Sequence, residues 1–330
     1  MAYAIGIDVG GTTIKAAIIS DTGVICDTAQ VDTPQGTVEL ISAVAQLVAD
    51  FRGRVVAGLV KDGDTTVTEL IDTVGFDVPG IVNETTGIAE FSANLGWRNF
   101  YAKEMLSKKL GTPVAFGHDV RSGALAESFL GVKLPHFFYI AIGTGIAATL
   151  IVNNRIMAPH PWAGEIGQTP VFPQFRGDET VSRVERFTST LPVEQIASAS
   201  AITRQAVELG LVAESGGAAA VYALADKLNT ETELSPQELH AAKQAREIID
   251  TAVATLAHTT AHFLAGIGPI PVVLGGGLAN RGQELLDHFR AELETALGIV
   301  PVPEVHRAQL GSWSQVQGAA LRAFIAEGLV

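Results

Sequence analysis

The chain has 330 residues, of which 47% are hydrophobic and 17% are charged, and its formal net charge is −13. These values exclude a disordered protein and a duplex-binding protein with a basic surface. A single cysteine, Cys26, excludes an internal disulfide and a cysteine-rich zinc site. No basic segment precedes an apolar stretch at the N-terminus, and the apolar segment FYIAIGTGIAATLIV is short and interrupted by Gly and Thr. We therefore expect a cytoplasmic protein without a membrane span.

The first part of the chain alternates between strand and helix patterns. Strands are predicted in YAIGID and IKAAII, on either side of a glycine turn, and a helix is predicted over 37–52. A buried strand in TVGFDVPGIV, a helix in NFYAKEMLSKKLG, a strand in TPVAFGHDV and a helix in VRSGALAESFLG follow. This alternation predicts an α/β fold with a mostly parallel sheet.

The middle of the chain repeats the pattern of its beginning. GIDVGGTTIKAAIISDTGVI and YIAIGTGIAATLIVNNRIM both consist of an apolar strand, a Gly/Thr turn, a second apolar strand and a polar turn. Two similar halves of this kind predict two glycine turns that hold one phosphate chain from opposite sides.

The last third is largely helical and contains a third glycine motif. Four helices are predicted in AITRQAVELGLV, AAAVYALADKLN, the long segment from SPQELH to FLAGI, and RGQELLDHFRAELETALG. Between the last two, PIPVVLGGGLANRG indicates a strand followed by three glycines and a helix start. Glycines there allow the backbone to approach a ligand closely.

The first glycine turn has the composition of a phosphate-binding loop. It matches neither common nucleotide motif, because Lys15 is followed by Ala16 and its two glycines are adjacent. Backbone N–H groups and hydroxyls suited to phosphate oxygens come from Gly10, Gly11, Thr12 and Thr13. Asp8 would repel phosphates unless a cation lies between them, and Mg²⁺ is the expected cation. The alternative is a tight hairpin in which Asp8 only caps a turn.

Three further segments carry polar side chains suited to a sugar ligand. Asp119, between a strand and a helix, suits a general base that accepts a hydroxyl proton, although a helix N-cap is the more common role. Glu165 and Gln168 lie in WAGEIGQTPV, which is either a ligand-binding loop or an ordinary surface loop. Asn94, in FSANLGWRNF, can donate and accept hydrogen bonds at once, or it belongs to an ordinary loop.

Taken in order, these motifs resemble the ROK family of sugar kinases and repressors, in its glucokinase-like branch. The resemblance extends over essentially the whole chain, from IGIDVGGTTIKAAI through GFDVPGIV, ANLGW, HDVRSGALAE, AIGTGIAATLI, AGEIGQTPV and VEQIASASAI to VVLGGGLANRG. It implies a two-domain α/β fold of the actin-like ATPase (ribonuclease H-like) class with the active site in the interdomain cleft. We expect domains at 1–118 and 119–314, with a C-terminal helix at about 315–330 packing back on the first.

The resemblance also implies the roles of individual residues. Asp119 would be the catalytic base that deprotonates a hexose 6-hydroxyl group, and Asp8 would face Mg²⁺, directly or through water. The sugar would be bound by Asn94, His118, Asp119, Glu165, Gln168 and Glu194. ATP and its phosphates would be bound by Gly10, Gly11, Thr12, Thr13, Lys15, Thr144, Gly145, Gly276, Gly277 and Asn280. We expect a homodimer that uses ATP and Mg²⁺ and binds neither nucleic acid nor membrane.

The chain departs from the family pattern around the sugar site. Zinc-containing members carry a cysteine-rich run before the last sugar-binding glutamate, whereas RGDETVSRVERFTSTLPVE, which precedes and includes Glu194, has no cysteine. Gln168 stands where those members have a zinc-ligand histidine, and His118 stands where the family usually has Asn. We therefore expect no structural zinc, so other packing must order residues 172–194.

These motifs leave several functions open. A glucokinase-like hexose kinase is the leading interpretation, and an N-acetylmannosamine or other N-acetylhexosamine kinase is the alternative, since zinc-free members occur among such kinases. Polyphosphate is an alternative donor, although LGGGLANRG favours an adenosine site. A catalytically idle sugar sensor and an actin-like structural or chaperone ATPase are the further alternatives.

Overall fold

The structure, a computed structural model, describes residues 1–176, 189–231 and 233–330. Its internal contacts divide the chain into two compact units. Unit 1 contains residues 1–136, 149–163 and 309–330, and unit 2 contains residues 137–148 and 164–308. The domain boundaries expected from the sequence stay a prediction.

Unit 1 begins with a series of strands interrupted by three helices. The strands are β1 (Tyr3–Val9), β2 (Thr13–Ser20), β3 (Ile25–Asp32), β4 (Lys61–Asp62), β5 (Thr65–Thr66), β6 (Val74–Val78), β7 (Ile81–Asn83), β8 (Ile88–Ser92), β9 (Trp97–Phe100) and β10 (Val114–His118). The helices are α1 (Thr37–Val56), α2 (Ala102–Leu110) and α3 (Asp119–Phe129).

The main sheet of unit 1 has the strand order β10-β6-β1-β2-β3. Strands β1, β2 and β3 pair antiparallel, while β6 and β10 extend the sheet in parallel. The sequence YAIGIDV of β1 is almost entirely buried, as expected for a strand covered on both faces. The carboxyl ends of β1, β6 and β10 lie side by side at one edge of this sheet, and the first glycine turn and α3 begin there.

A small antiparallel sheet of β7, β8 and β9 follows β6. Its strands are three to five residues long, too short to show a clear alternation in the sequence. The turn between β8 and β9 carries Asn94, and Trp97 at the start of β9 is buried.

Unit 2 contains most of the remaining elements. The strands that follow along the chain are β11 (His136–Ile142), β12 (Ile146–Val152), β13 (Arg155–Met157), β14 (Pro170–Val171), β15 (Leu191–Pro192), β16 (Val272–Gly275) and β17 (Val305–Arg307). The helices are α4 (Glu194–Ala197), α5 (Ala199–Glu208), α6 (Gly217–Thr230), α7 (Pro236–Ile267), α8 (Gln283–Leu297) and finally α9 (Ser314–Ala326). Helix α9, strand β13 and the end of β12 belong to unit 1.

The second large sheet repeats the topology of the first. Its order is β13-β12-β11-β16-β17, with β16 and β17 added in parallel to β11. Each sheet thus consists of three consecutive strands extended by two parallel strands on the side of the first. This topology confirms the internal repeat that the two glycine hairpins predicted.

Helix α9 covers the face of the first sheet opposite α1. It contacts β1, β6 and α3, and two glycines permit its close approach. A Cβ atom at Gly6 would lie 2.2 Å from the carbonyl oxygen of Val316, and one at Gly75 would lie 1.9 Å from that of Ala319. No side chain larger than hydrogen fits at either position without moving the helix.

Within the described ranges, no helix is at once long enough and apolar enough to cross a lipid bilayer.

Candidate active site

The first glycine turn is fixed by its own backbone and by one neighbouring threonine. The N–H of Gly10 donates to the carbonyl oxygen of Thr13 at 2.9 Å, which closes the turn. The hydroxyl of Thr33 donates to the carbonyl oxygen of Gly10 at 2.7 Å, and its N–H donates to that of Thr12 at 2.9 Å. Thr12, at the tip of the turn, is exposed. Sequence reasoning missed Thr33, whose role depends on the pairing of β2 with β3.

The structure brings Asn94 next to this turn. A Cβ atom at Gly11 would lie 3.0 Å from the Cβ of Asn94. Any side chain at Gly11 would therefore press against a predicted sugar-binding residue. Asn94, one residue of the predicted sugar site, is thus a neighbour of the predicted phosphate turn within unit 1.

Asp8 lies at the end of β1, opposite Lys15 of β2 and beside Asp77 of β6. Burial and the nearby carboxylate of Asp119 raise the pKa of Asp8 to about 7, although Lys15 opposes this rise. Two carboxylates of like charge in a partly buried site favour either a proton or a cation between them. The arrangement therefore suits a divalent cation.

Asp119 is the first residue of α3 and directly follows β10. Its Oδ1 accepts the N–H of Val120 at 2.7 Å. Oδ2 has no hydrogen-bond partner among the residues that the structure describes. The start of a helix favours a carboxylate electrostatically. Asp119 therefore lies inside the helix, directly after the N-cap His118, and is not itself the N-cap. Its Oδ2 is left available to accept a proton.

His118 is buried directly beside this carboxylate. Its Nδ1 lies 3.2 Å from Asp119 Oδ1, but the two atoms lack hydrogen-bond geometry. Burial lowers the pKa of His118, and the cations Arg121 and Arg322 lower it further, against the carboxylates of Asp119 and Glu84. At neutral pH the imidazole is therefore neutral and adds no charge to the site.

The ammonium group of Lys15 is held by contacts with the segment that precedes α9. Its Nζ donates to the carbonyl oxygen of Ser312 at 2.9 Å and lies 5.7 Å from the ring centroid of Trp313. The segment before α9 therefore holds this predicted phosphate-binding cation.

A partly buried charge cluster that sequence reasoning missed lies next to the start of α3. Arg322 of α9 donates to both carboxylate oxygens of Glu84, at 3.0 and 2.7 Å, and to the hydroxyl of Ser122 at 2.5 Å. Asp77 is fully buried, and its Oδ1 lies 3.7 Å from Arg322 Nε. Burial raises the pKa of Asp77 well above its ordinary value, although Arg322 opposes this effect.

In unit 2 the second glycine hairpin joins β11 to β12. The N–H of Gly143 donates to the carbonyl oxygen of Gly145 at 3.0 Å. The carbonyl oxygen of Gly143 accepts the N–H of Ala199, the first residue of α5, at 2.9 Å. Thr144, at the tip, is exposed. The hairpin thus presents a hydroxyl and backbone donors on a fixed turn, as the first one does.

Glu194 and Gln168 are brought together beside this hairpin. Gln168 Nε2 donates to Glu194 Oε1 at 2.7 Å, and the N–H of Ile146 donates to Glu194 Oε2 at 3.4 Å. Glu165 is half-buried three residues before Gln168, at the start of the short 3₁₀ turn Ile166–Gln168. The pairing of β14 with β15 joins Pro170 to Pro192 and thereby brings the two segments together.

The third glycine motif follows β16 and lies next to the end of β11. Gly276 has φ +79°, and a Cβ atom there would lie 2.5 Å from the carbonyl oxygen of Ile142. Gly277 and Asn280 are exposed in the 3₁₀ turn Gly277–Arg281. Gly276, directly before this turn, therefore packs against the end of β11, the strand that leads into the second hairpin. The exposed residues of the turn are open to a ligand.

Arg281 anchors that turn. Its Nη2 donates to Asp226 Oδ2 at 3.0 Å and also to Glu284, and its guanidinium carbon lies 4.6 Å from the ring centroid of Tyr222. Sequence reasoning missed this anchor, because its partners lie on α6 and α8.

Each unit thus collects its own set of predicted site residues. Unit 1 holds Asp8, Gly10, Gly11, Thr12, Thr13, Lys15, Asn94, His118 and Asp119. Unit 2 holds Thr144, Gly145, Glu165, Gln168, Glu194, Gly276, Gly277 and Asn280. Their roles stay predictions.

The residues present fit a magnesium ion but not the family's cysteine-ligated zinc. Asp8 and Asp119 are hard oxygen donors of like charge, and Mg²⁺ typically uses one or two carboxylates together with phosphates and water. No cluster of three or more potential metal ligands occurs in the described part of the chain. The only cysteine in the sequence is Cys26. Residues 177–188, which contain most of the segment that replaces the zinc-binding run, lie outside the described residues.

Comparison with known proteins supports these observations. The sequence profile of the ROK family matches residues 4–324. A glucokinase of Streptomyces coelicolor is 28% identical over 331 residues, covering 97% of this chain and 97% of that protein. An N-acetylmannosamine kinase of Yersinia pseudotuberculosis is 26% identical over 329 residues, covering 98% of this chain and 99% of that protein.

The fold comparison agrees. The crystal structure of a ROK family glucokinase from Streptomyces griseus, in complex with glucose and AMPPNP, is similar with a TM-score of 0.71 at 21% identity, over 98% of this chain and 99% of that chain. Such a likeness shows a shared fold. The predicted two-domain α/β fold of the actin-like ATPase class is thereby confirmed.

Proposed function

The chain belongs to the ROK family, and on this basis we propose that it is an ATP-dependent sugar kinase that phosphorylates a hexose at its 6-hydroxyl group. Glucose is the expected substrate, because the glucokinase of Streptomyces coelicolor aligns over 97% of the chain.

The state of Asp119 is the observation that carries this proposal. One carboxylate oxygen accepts the N–H of Val120, and the other is left without a hydrogen-bond partner among the described residues. A carboxylate held in this way can accept the proton of the attacking hydroxyl as the oxygen–phosphorus bond forms. General base catalysis of this kind contributes roughly 10²- to 10⁴-fold to the rate.

The remaining parts of the reaction need positioning and charge stabilisation rather than covalent catalysis. Backbone N–H groups and hydroxyls of the two glycine hairpins would bind phosphate oxygens, and the turn Gly277–Arg281 would bind the adenosine. Mg²⁺, held through Asp8, would neutralise phosphate charge. Lys15 would contribute a cation from β2.

The sugar would be recognised by the polar side chains of the predicted sugar-binding set. Asn94 can donate to one hydroxyl and accept from its neighbour. Glu165 and Glu194 accept hydrogen bonds, whereas Gln168 can do both. His118, neutral at neutral pH, would contribute a ring nitrogen beside the base.

N-acetylmannosamine is the alternative substrate. The N-acetylmannosamine kinase of Yersinia pseudotuberculosis aligns with 98% of the chain. Gln168, which stands where zinc-containing members have a histidine, supports this alternative, because its amide is suited to an N-acetyl group.

A coupled ADP-release assay with Mg-ATP tests the proposal. The panel contains glucose, mannose, N-acetylglucosamine and N-acetylmannosamine, with a sugar-free control and polyphosphate as a second donor. We expect one sugar to give turnover far above the sugar-free rate, with ATP as donor. Sugar binding by calorimetry without any turnover would replace the kinase by an idle sensor, and equal ATP hydrolysis with and without sugar would favour a structural ATPase.

Two further expectations belong to the same proposal: the absence of zinc, from the missing cysteines, and a homodimer, from the family resemblance. Elemental analysis of the purified protein should find no stoichiometric zinc, and one zinc per chain would contradict this. Light scattering should give the mass of a homodimer, that is, twice the 34.6 kDa of one chain.

A further inference from the structure

Glu194 is in contact with two different motifs at once. Its Oε1 accepts a hydrogen bond from Gln168, in the segment of the predicted sugar-binding glutamate Glu165, and its Oε2 accepts the N–H of Ile146, which directly follows the second phosphate hairpin. One carboxylate therefore joins the predicted sugar site to the predicted phosphate site within unit 2.

Glycines in both motifs make room for this carboxylate. A Cβ atom at Gly145 would lie 2.9 Å from Glu194 Oε2, and one at Gly167 would lie 3.2 Å from the same oxygen. Gly167 also packs against β12, since its Cβ atom would lie 2.2 Å from the carbonyl oxygen of Ile146. The carboxylate thus lies against the backbone of both segments, and a displacement of Glu194 is transmitted to both.

The chain that follows Glu194 holds the other end of the hairpin. The N–H of Ala199, five residues later, donates to the carbonyl oxygen of Gly143 at 2.9 Å. Ser198 fixes this point, because its hydroxyl accepts the N–H of Ala201 and so caps α5. Residues 194–199 therefore form hydrogen bonds with both ends of the hairpin, at Gly143 and at Ile146.

We propose that Gln168 is a positioning residue which, through Glu194, couples occupation of the sugar site to the geometry of the second phosphate hairpin. This inference rests on the proposed function. A sugar hydroxyl that donates to Glu194 fixes the carboxylate, which in turn holds the Ile146 N–H and the hairpin in the geometry that binds phosphate. Gln168 keeps Glu194 aligned by a direct hydrogen bond of 2.7 Å.

Coupling of this kind is reciprocal. If sugar strengthens nucleotide binding by a given factor, then nucleotide strengthens sugar binding by the same factor, typically about 5- to 150-fold. Loss of Gln168 removes the hydrogen bond to Glu194. Because Gln168 also belongs to the predicted sugar-binding set, the sugar is brought to saturation for each variant separately. The coupling factor therefore reports on this residue more directly than activity does.

Calorimetry with Mg-AMPPNP tests the proposal, with and without a saturating concentration of the sugar that the wild type phosphorylates fastest. For the wild type we expect the sugar to lower the Kd of Mg-AMPPNP at least about fivefold. For Gln168→Ala and Gln168→Glu we expect this factor to approach 1, because the first removes the donor and the second places a carboxylate against Glu194. Gln195→Ala is the matched control, since Gln195 is exposed and adjacent to Glu194, and it should keep the wild-type factor.

The outcomes separate this inference from the function on which it rests. A wild type that phosphorylates no sugar overturns both. A wild type that phosphorylates a sugar but shows no coupling, or a folded Gln168→Ala variant that keeps the wild-type coupling factor, overturns the inference alone. A loss of coupling in Gln195→Ala equal to that in Gln168→Ala also overturns it, because the effect would then not depend on the hydrogen bond to Glu194.

Discussion

Arg322 and Glu84 form a forked ion pair across 238 residues of sequence, with Nη1 3.0 Å from Oε2 and Nη2 2.7 Å from Oε1. Glu84 Oε1 also accepts the backbone N–H of His118 at 3.2 Å, one residue before Asp119. Arg121, two residues after Asp119, lies 3.6 Å from the same carboxylate. The ion pair therefore holds the turn from β10 to α3, on which the proposed base lies.

Glu84→Gln is expected to lower kcat about tenfold while changing the KM of sugar and ATP little. The variant loses the charge that holds Arg322, and a small displacement of Asp119 costs about this much, since 1.4 kcal/mol corresponds to a factor of ten. Steady-state kinetics checks the prediction. Glu104→Gln is the control, because the ion pair of Glu104 with Lys108 is exposed on α2. Equal kcat values for the two variants would contradict the predicted role of Glu84.

Glu84 should also make stability depend on pH. Burial raises the pKa of this carboxyl, but Arg322, Arg121 and the N–H of His118 outweigh burial, so the pKa lies below the ordinary 4.5. A pKa that is lower in the folded than in the unfolded state stabilises the protein above the unfolded value, and this contribution is lost as the pH falls through the folded value. The difference in free energy of unfolding between wild type and Glu84→Gln should therefore be constant near neutrality and shrink below about pH 4.5. Urea unfolding at several pH values measures it, and a difference that grows on acidification would refute the assignment.

Asp119→Asn is expected to reduce kcat by roughly 10²- to 10⁴-fold, because the amide cannot accept the hydroxyl proton. Sugar affinity should stay within about tenfold, since the side chain keeps its shape and loses one charge-assisted hydrogen bond. Turnover and calorimetric sugar titration are the two measurements. Asp64→Asn, at an exposed turn, serves as the control, and near-normal turnover in Asp119→Asn would remove this residue from the role of base.

Arg281→Lys is expected to raise the KM of ATP about tenfold and to leave that of the sugar nearly unchanged. Lysine cannot reproduce the hydrogen bonds to Asp226 and Glu284 together with stacking on Tyr222, so the turn proposed to bind adenosine loses its anchor. Arg204→Lys is the control, because that arginine is half exposed and lies 3.9 Å from Glu208 in a surface pair. An equal rise in both KM values would show a general loss of structure instead.

Gly75→Ala is expected to cost about 3 kcal/mol of stability or more, because the new methyl group would lie 1.9 Å from the carbonyl oxygen of Ala319. Gly53→Ala is the matched substitution. Gly53 lies within α1 with nothing within 4 Å of its Cβ position, so alanine there should stabilise by about 0.5–1 kcal/mol. Thermal unfolding of both variants checks the opposite signs, and a neutral Gly75→Ala would contradict the packing of α9.

Most of the fold could be predicted because its signals are local. The long helix α7 follows the N-cap Ser235, whose side chain forms a capping box with that of Glu238, and Pro236 is its first residue. Helix α2 ends at Gly111, which has φ 67°, as its glycine predicted. The small sheet β7–β9 was not predicted, since its strands are too short to show periodicity.

The contacts that organise the candidate site were less accessible to sequence reasoning. Asp119 and Glu194 were recognised by their motifs, but nothing in the pattern relates Glu84 to Arg322, which are paired only by the packing of α9. The hydrogen bond between Gln168 and Glu194 likewise depends on the pairing of β14 with β15. Ion pairs and hydrogen bonds between distant segments leave no periodic trace, so only the tertiary structure reveals them.

The packing of α9 on the first sheet has a consequence for biosynthesis. Ala4, Ala17 and Ile19 of the sheet share a buried apolar cluster with Val316 and Phe324 of α9. The ribosome produces the strands first and the helix that covers them some 300 residues later, whereas domains generally fold as they emerge. The apolar face of the sheet therefore stays open to water and to chaperones until α9 has left the exit tunnel. Truncated chains that lack α9 would therefore aggregate or be degraded, and we do not expect them to fold into enzymes of reduced activity.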